Sequence, residues 1–136
     1  MFEILEHTAD IGFRAWGETA AKMFENAALA LESIAFEVEL IEPREPYPLA
    51  VTGEDYESLL VNWLSEALYY MDARRIPLRR FEVERITPES VVGRGWGEPL
   101  DAARHRAKVI VKGVTYHQLK IERAGKIWRA TVFLDI

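Results

Sequence analysis

Ile127-Trp128-Arg129-Ala130-Thr131-Val132-Phe133-Leu134-Asp135-Ile136 is the stretch whose reading decides the fold. Its apolar, β-rich run predicts a strand that carries straight into Asp135 and Ile136. The Asp135 side chain and the Ile136 α-carboxylate then lie within one residue of each other. Like charges that close repel unless a cation or several donors hold them. A third carboxylate would make a hard divalent cation the natural occupant. Asp10, in His7-Thr8-Ala9-Asp10-Ile11-Gly12-Phe13, is the candidate, which gives an expected metal site of Asp10, Asp135 and Ile136. Oxygen-only ligands favour calcium, magnesium or manganese over zinc. The bland alternatives are an Asp10 that accepts turn hydrogen bonds and an Asp135 that is simply solvated. The metal reading requires the first and last strands to be neighbours in one sheet.

Working outward, an Ala124-Gly125-Lys126 turn joins the last strand to another over 116–123, and 108–114 completes a meander. Residues 78–86 and 90–96 read as a strand pair around Thr87-Pro88-Glu89, followed by a glycine-rich, charged connection over 97–106. The first half starts with short strands over 2–5 and 11–16. Thr19 then reads as the N-cap of an amphipathic helix from 20 to about 36, with Met23, Phe24, Ala27, Leu31 and Ile34 at helical spacing. Pro43, Pro46 and Pro48 predict an irregular connection before a short strand over 49–52. Asp55 caps a second helix with the apolar stripe Leu59, Leu60, Trp63, Leu64, Ala67, Leu68 and Met71. The expected fold is α+β, two amphipathic helices on a mixed, largely antiparallel sheet, and a single domain over 1–136.

A chain of 136 residues, 49% hydrophobic and 29% charged, can bury its own core. No apolar run approaches the roughly 20 residues of a membrane span, and the N-terminus has no signal-peptide pattern. Cysteine is absent, which excludes disulfides, thiol catalysis and thiolate metal sites. A cytoplasmic location is the default expectation. The net charge of −5 is unevenly spread: 3 basic and 15 acidic side chains in 1–73, then 14 basic and 7 acidic in 74–136. The basic excess lies mostly in 74–112. Such polarity suits docking on a charged partner, unless folding mixes the two sets on the surface.

Little else points to chemistry. His7, His105 and His117 lack zinc-site spacing. No serine sits in a nucleophile elbow. Gly93-Arg94-Gly95-Trp96-Gly97 lacks the Lys-Ser/Thr ending of a phosphate loop and reads as a twisted or bulged strand. Lys112, beside Gly113-Val114-Thr115-Tyr116-His117, is placed either to contact phosphate or to pair with Asp10 or Asp135; a plain surface lysine is the alternative. Trp96 alone among the tryptophans sits near several arginines, a weak sign of nucleic-acid stacking.

Taken together, the segments resemble one family. Glu6-His7-Thr8-Ala9-Asp10-Ile11-Gly12-Phe13 is similar to the opening motif of the archeases. Leu59-Leu60-Val61-Asn62-Trp63-Leu64, Gly97-Glu98, Asp101 through Arg104-His105, Lys112-Gly113-Val114-Thr115-Tyr116-His117 and Leu134-Asp135-Ile136 follow in order. Gly113 departs from the pattern, where a larger small residue such as alanine is expected. The resemblance implies the archease fold and a non-catalytic accessory protein of tRNA splicing. Its implied partner is the RtcB-type GTP-dependent RNA ligase, whose guanylylation and multiple turnover it would promote, with RNA met only through the ligase. It also implies metal ligation by Asp10, Asp135 and Ile136, with calcium as the ion bound and magnesium or manganese as alternatives. His7, Lys112 and His117 are candidate partner or phosphate contacts. Two other classes stay open: an RNA-binding chaperone or modulator of RNA-modifying enzymes using the basic 74–112 segment, and a metal-dependent phosphoesterase.

Overall fold

The computed structural model describes residues 1–6 and 10–136, Glu6 by its backbone alone. Helix α1 (Ala20–Ala35) starts where Thr19, in extended conformation, accepts the Lys22 N–H on its hydroxyl. Helix α2 (Tyr56–Asp72) starts on a capping box: Asp55 accepts the Ser58 N–H, and the Ser58 hydroxyl accepts the Asp55 N–H. Both caps match the sequence expectation. Trp63, fully buried on α2, locks the helices together by donating its indole N–H to the Phe24 carbonyl of α1 at 3.0 Å.

The expected sheet divides in two, each antiparallel throughout. Strands β1 (Phe2–Glu6), β2 (Ile11–Gly17), β7 (Ile127–Asp135) and β6 (Gly113–Ala124) form one, in the order β1-β2-β7-β6. Strands β3 (Glu45–Thr52), β5 (Ser90–Gly97) and β4 (Leu78–Thr87) form the other, in the order β3-β5-β4. Each helix touches both: α1 packs on β2 and β4, α2 on β6 and β3. That placement explains why α1 is buried on nearly every side, from Ala20 through Ala35. The core joins Phe13, Ala15, Val132 and Leu134 of the larger sheet to Leu49, Leu78, Phe81 and Val91 of the smaller one through the helices.

The helices also close the two open edges of the three-stranded sheet. On β3, which among the described residues pairs with β5 alone, Pro46 and Pro48 place their missing N–H groups away from the ladder. The strand therefore starts at Glu45, four residues before the expected start, because an edge strand tolerates proline on its free side. There α2 supplies donors, Tyr70 Oη to the Pro48 carbonyl and Asn62 Nδ2 to the Thr52 carbonyl, each at 2.7 Å. On β4 the roles reverse. Glu25 and Glu32, two turns apart on α1, accept the Val83 and Leu78 N–H groups at 2.8 and 2.9 Å.

β5 is an unbulged central strand, and the irregularities lie on β4, between Leu78 and Arg80 and between Val83 and Arg85. Its glycines are needed for space. A Cβ on Gly97 would run into the Pro77 carbonyl and the Leu78 main chain, neither of which can rotate away. Gly97→Ala is expected to cost about 1–3 kcal/mol as an overpacked core site, read as a lower urea midpoint; an unchanged midpoint would show that β4 yields.

The strand expected over 108–114 is largely absent. β6 begins at Gly113 and runs as one bulged strand to Ala124, because β7 offers it partners only as far as Asp135. Between the Thr115–Phe133 and Lys120–Thr131 pairs, residues 116–119 stand opposite Val132 alone, with Gln118 at φ 56°.

Candidate functional site

The condition as set, that the first and last strands be neighbours, is not met, because β2 lies between β1 and β7; it is β2, the strand that Asp10 precedes, that pairs with β7. Ile11 pairs with Leu134, so Asp10 and Asp135 flank the last rung of that ladder. On its other side Asp135 pairs with Gly113, and its carbonyl accepts the Lys112 N–H at 2.7 Å. Asp10 is half-buried, and its Oδ1 is fully buried with no hydrogen-bond partner among the described residues. A buried carboxylate oxygen in that state lacks the compensation that buried polar atoms ordinarily have. A cation held between Asp10 and the exposed end of β7 would supply it, so the donors fit a hard, oxygen-seeking ion. Among the described residues no three His, Asp or Glu side chains cluster as a metal site; the expected set has two side chains, with the Ile136 carboxylate as the third group.

The neighbouring candidates divide. Lys112 is exposed and makes no ion pair with Asp10 or Asp135 among the described residues. His117 is exposed on the β6 bulge, its main-chain N–H bonded to Thr115 Oγ1 at 3.0 Å. His7 lies outside the described residues. Gly12 has a packing reason: a Cβ there would meet the Phe133 ring at 2.7 Å, so glycine lets that ring lie across β2. At Gly113 a Cβ would meet nothing within 4 Å, so the departure from alanine leaves the site's geometry free.

A second polar cluster escaped the reading of the residues as chemistry, although Glu98, Arg104 and His105 stood in the quoted motifs. Glu98 is 2% exposed and fully engaged. Arg104 binds both its oxygens, at 2.8 and 2.9 Å, Arg44 approaches at 3.1 Å, and the Glu42 N–H and His105 Nε2 each lie 2.8 Å from Oε2. The Asp101 N–H donates to His105 Nδ1, so that nitrogen carries the lone pair and Nε2 donates to Glu98. The forked Arg104 bond, aided by Glu42 and His105 against the cost of burial, holds the Glu98 carboxyl down at about 2. This knot ties the glycine-rich connection to the segment after α1. Its only sequence sign is a Glu, an Arg and a His spaced six and seven residues apart in a loop.

The basic 74–112 segment is partly mixed into acidic surroundings. Arg94 pairs with Glu84, and Arg80 lies over the Trp96 ring with its guanidinium 3.9 Å from the centroid. Trp96, the tryptophan whose neighbouring arginines are a weak sign of nucleic-acid stacking, is therefore already covered by one of them.

Fold and site together define a small α+β domain with a half-buried aspartate, Asp10, beside the end of its last strand. The model of the archease protein family (MTH1598/TM1083) matches residues 2–136. Protein archease of Methanosarcina mazei is 40% identical over 139 residues, covering 99% of this chain and 95% of that one. Protein archease of Sulfurisphaera tokodaii is 37% identical over 139 residues, covering 99% and 98%. The solution structure of Methanobacterium thermoautotrophicum protein 1598, 34% identical, superposes with a TM-score of 0.84 over 99% of this chain and 98% of that one. A Thermotoga maritima crystal structure, described as an archease and possible chaperone, shares the fold at 23% identity and a TM-score of 0.59, covering 97% and 94%. The chain belongs to the archease family. Among the described residues no helix is long and apolar enough to cross a membrane.

Proposed function

We propose that this protein is a non-catalytic, cytoplasmic activator of the RtcB-type GTP-dependent tRNA-splicing RNA ligase, promoting ligase guanylylation and repeated turnover in exon joining. In this reading Asp10, Asp135 and the Ile136 carboxylate hold a divalent cation, calcium foremost, with magnesium or manganese as alternatives. The observation that carries it is the buried Asp10 Oδ1, without a hydrogen-bond partner among the described residues, just past the rung that joins Ile11 to Leu134. A divalent ion supplies charge neutralisation to phosphoryl oxygens in nucleotidyl transfer. The chain's own part is to hold Asp10, at the entry to β2, close to Asp135 at the end of β7, so that sheet register helps to set the site. Lys112, next to the end of β7, and His117, on the β6 bulge, are both exposed and are the contacts proposed for phosphate or partner groups.

The test is RNA ligation with substrate in large excess over ligase, with and without this protein. Wild-type protein is expected to raise the number of turnovers, and Asp135→Ala and Asp10→Ala to lose at least about tenfold of that stimulation, on the scale of a removed metal ligand's support. Stimulation that survives both substitutions would sink the metal role. Phosphoester turnover by the isolated protein would favour the phosphoesterase alternative, and salt-dependent RNA binding the chaperone one. Extending the chain by one residue past Ile136 would move the α-carboxylate. Calcium titration should then show weaker binding, and unchanged affinity would leave only the two aspartates.

A further inference from the structure

Residues 109–111 run between two anchored points without a partner of their own. Upstream, the Lys108 N–H donates to the Ala35 carbonyl at 2.8 Å and Ala107 bridges to Phe36. Downstream, the Lys112 N–H reaches the Asp135 carbonyl. Between them, no main-chain N–H or C=O of Val109, Ile110 or Val111 bonds to protein among the described residues. The side chains still alternate as in a strand: Val111 is buried, Val109 half-buried, and Ile110 is 78% exposed between exposed Lys108 and Lys112. A β-branched triplet with free main-chain groups is a template for strand pairing.

A groove of about 640 Å³ lies along this segment, floored by Phe36, Met71 and Leu100. Arg75 and Arg106 line it, neither with an ion pair among the described residues, against the single carboxylate of Asp72. Arg75 holds φ 58°, the left-handed region where glycine is the ordinary occupant. Its carbonyl accepts the Leu100 N–H at 2.8 Å, which fixes the arginine where α2 meets the groove. The left-handed turn is the one that closes α2, with the Ile76 N–H on the Tyr70 carbonyl at 2.8 Å, and it sets the Arg75 side chain at the rim of the groove.

We infer that residues 109–111 and this groove receive an extended segment of the partner protein by strand addition, an apolar side chain of that segment meeting Ile110 and its carboxylates meeting Arg75 and Arg106. The inference rests on the activator reading and adds to it the docking surface and the chemistry of the docked segment. It separates two roles: the 109–111 edge determines how tightly the partner is held, and the Asp10–Asp135 end determines what happens once it is.

Ligase stimulation titrated against the concentration of this protein tests it. Ile110→Asp is expected to raise the half-maximal concentration about thirtyfold, the scale of a lost interface anchor, while leaving the maximum unchanged. Arg106→Glu should raise it about fivefold or more, with the gap narrowing at high salt. Both sites are exposed, so the variants should melt with the wild type. Hydrogen exchange supplies an independent reading, with amides 109–111 exchanging fast in the free protein and slowly with ligase bound. A wild-type protein that stimulates while Ile110→Asp is indistinguishable from it, or amides 109–111 that stay fast in the complex, would overturn this inference alone. A wild-type protein without effect on the ligase would overturn the activator reading and this inference with it.

Discussion

Replacing Glu98 by glutamine is expected to lower stability by about 3 kcal/mol, the low end of what breaking a buried charge pair costs, which is roughly 10 °C in melting temperature for a chain of this size. The glutamine keeps the shape but returns no charge to Arg104 and Arg44, and its amide nitrogen must face at least one of the donors that converge there. The pH dependence identifies the cause. The folded Glu98 carboxyl lies at about 2, below its ordinary value of 4.5, so the native state binds fewer protons than the unfolded chain between those values. The wild type keeps this contribution in full above 4.5 and loses it as pH falls through about 2. The glutamine variant should lack that acid limb, and Glu98→Asp, which retains the charge on a shorter stem, should fall between. Urea melts of the three proteins from neutral pH down to about 3 decide the matter. Parallel curves for wild type and Glu98→Gln would mean that the knot holds the loop by shape alone.

How much of this was legible in the sequence follows from how local each cause is. Thr19 and Asp55 announced their helices because a cap acts within four residues, and the α2 stripe announced its buried face by period alone. Strand adjacency was harder. That Asp10 and Asp135 come to the same end of the sheet depends on β2 pairing with β7 across more than a hundred residues; crowding of negative charge suggested it, and the archease motifs supported it. The misses are non-local in the same sense. Pro46 and Pro48 looked like strand breakers because nothing nearby says that β3 is an edge covered by Tyr70 and Asn62 from α2. Residues 108–112 looked like strand because Val-Ile-Val has the composition of one, whereas pairing is set by how far β7 reaches. Glu98 gave no warning, since a glutamate in a charged loop is ordinarily solvated. The division into two sheets was invisible because both helices satisfy the same amphipathic pattern whichever sheet they cover.

Glu32 is the counterpart of Glu98 and should respond in the opposite direction. It is fully buried on α1, its Oε1 accepts the Leu78 N–H, and its Oε2 has no partner among the described residues. Burial, only partly offset by the Leu78 bond and reinforced by Asp72, raises its carboxyl well above the ordinary 4.5. Here the folded state binds the proton more tightly than the unfolded chain. Its contribution is complete below about 4.5 and is lost as pH rises through the raised folded value. Glu32→Gln cannot ionise, and its side-chain oxygen can still close the β4 edge at Leu78. The expected result is near-equal stability below the ordinary carboxyl value and a growing advantage for the glutamine variant as pH rises above it, where the wild type must bury a charge or open that edge. Glu32→Ala separates the two duties, since it removes the charge but orphans the Leu78 N–H and leaves a cavity, so it should lie about 2–4 kcal/mol below Glu32→Gln at every pH. If glutamine instead tracks the wild type across the whole range, Glu32 ionises without cost, and water must reach the β4 edge beneath α1. The glutamate would then be kept for the pairing of α1 with that edge, which is the duty Glu25 performs one strand-half away at Val83 with a side chain that reaches the surface.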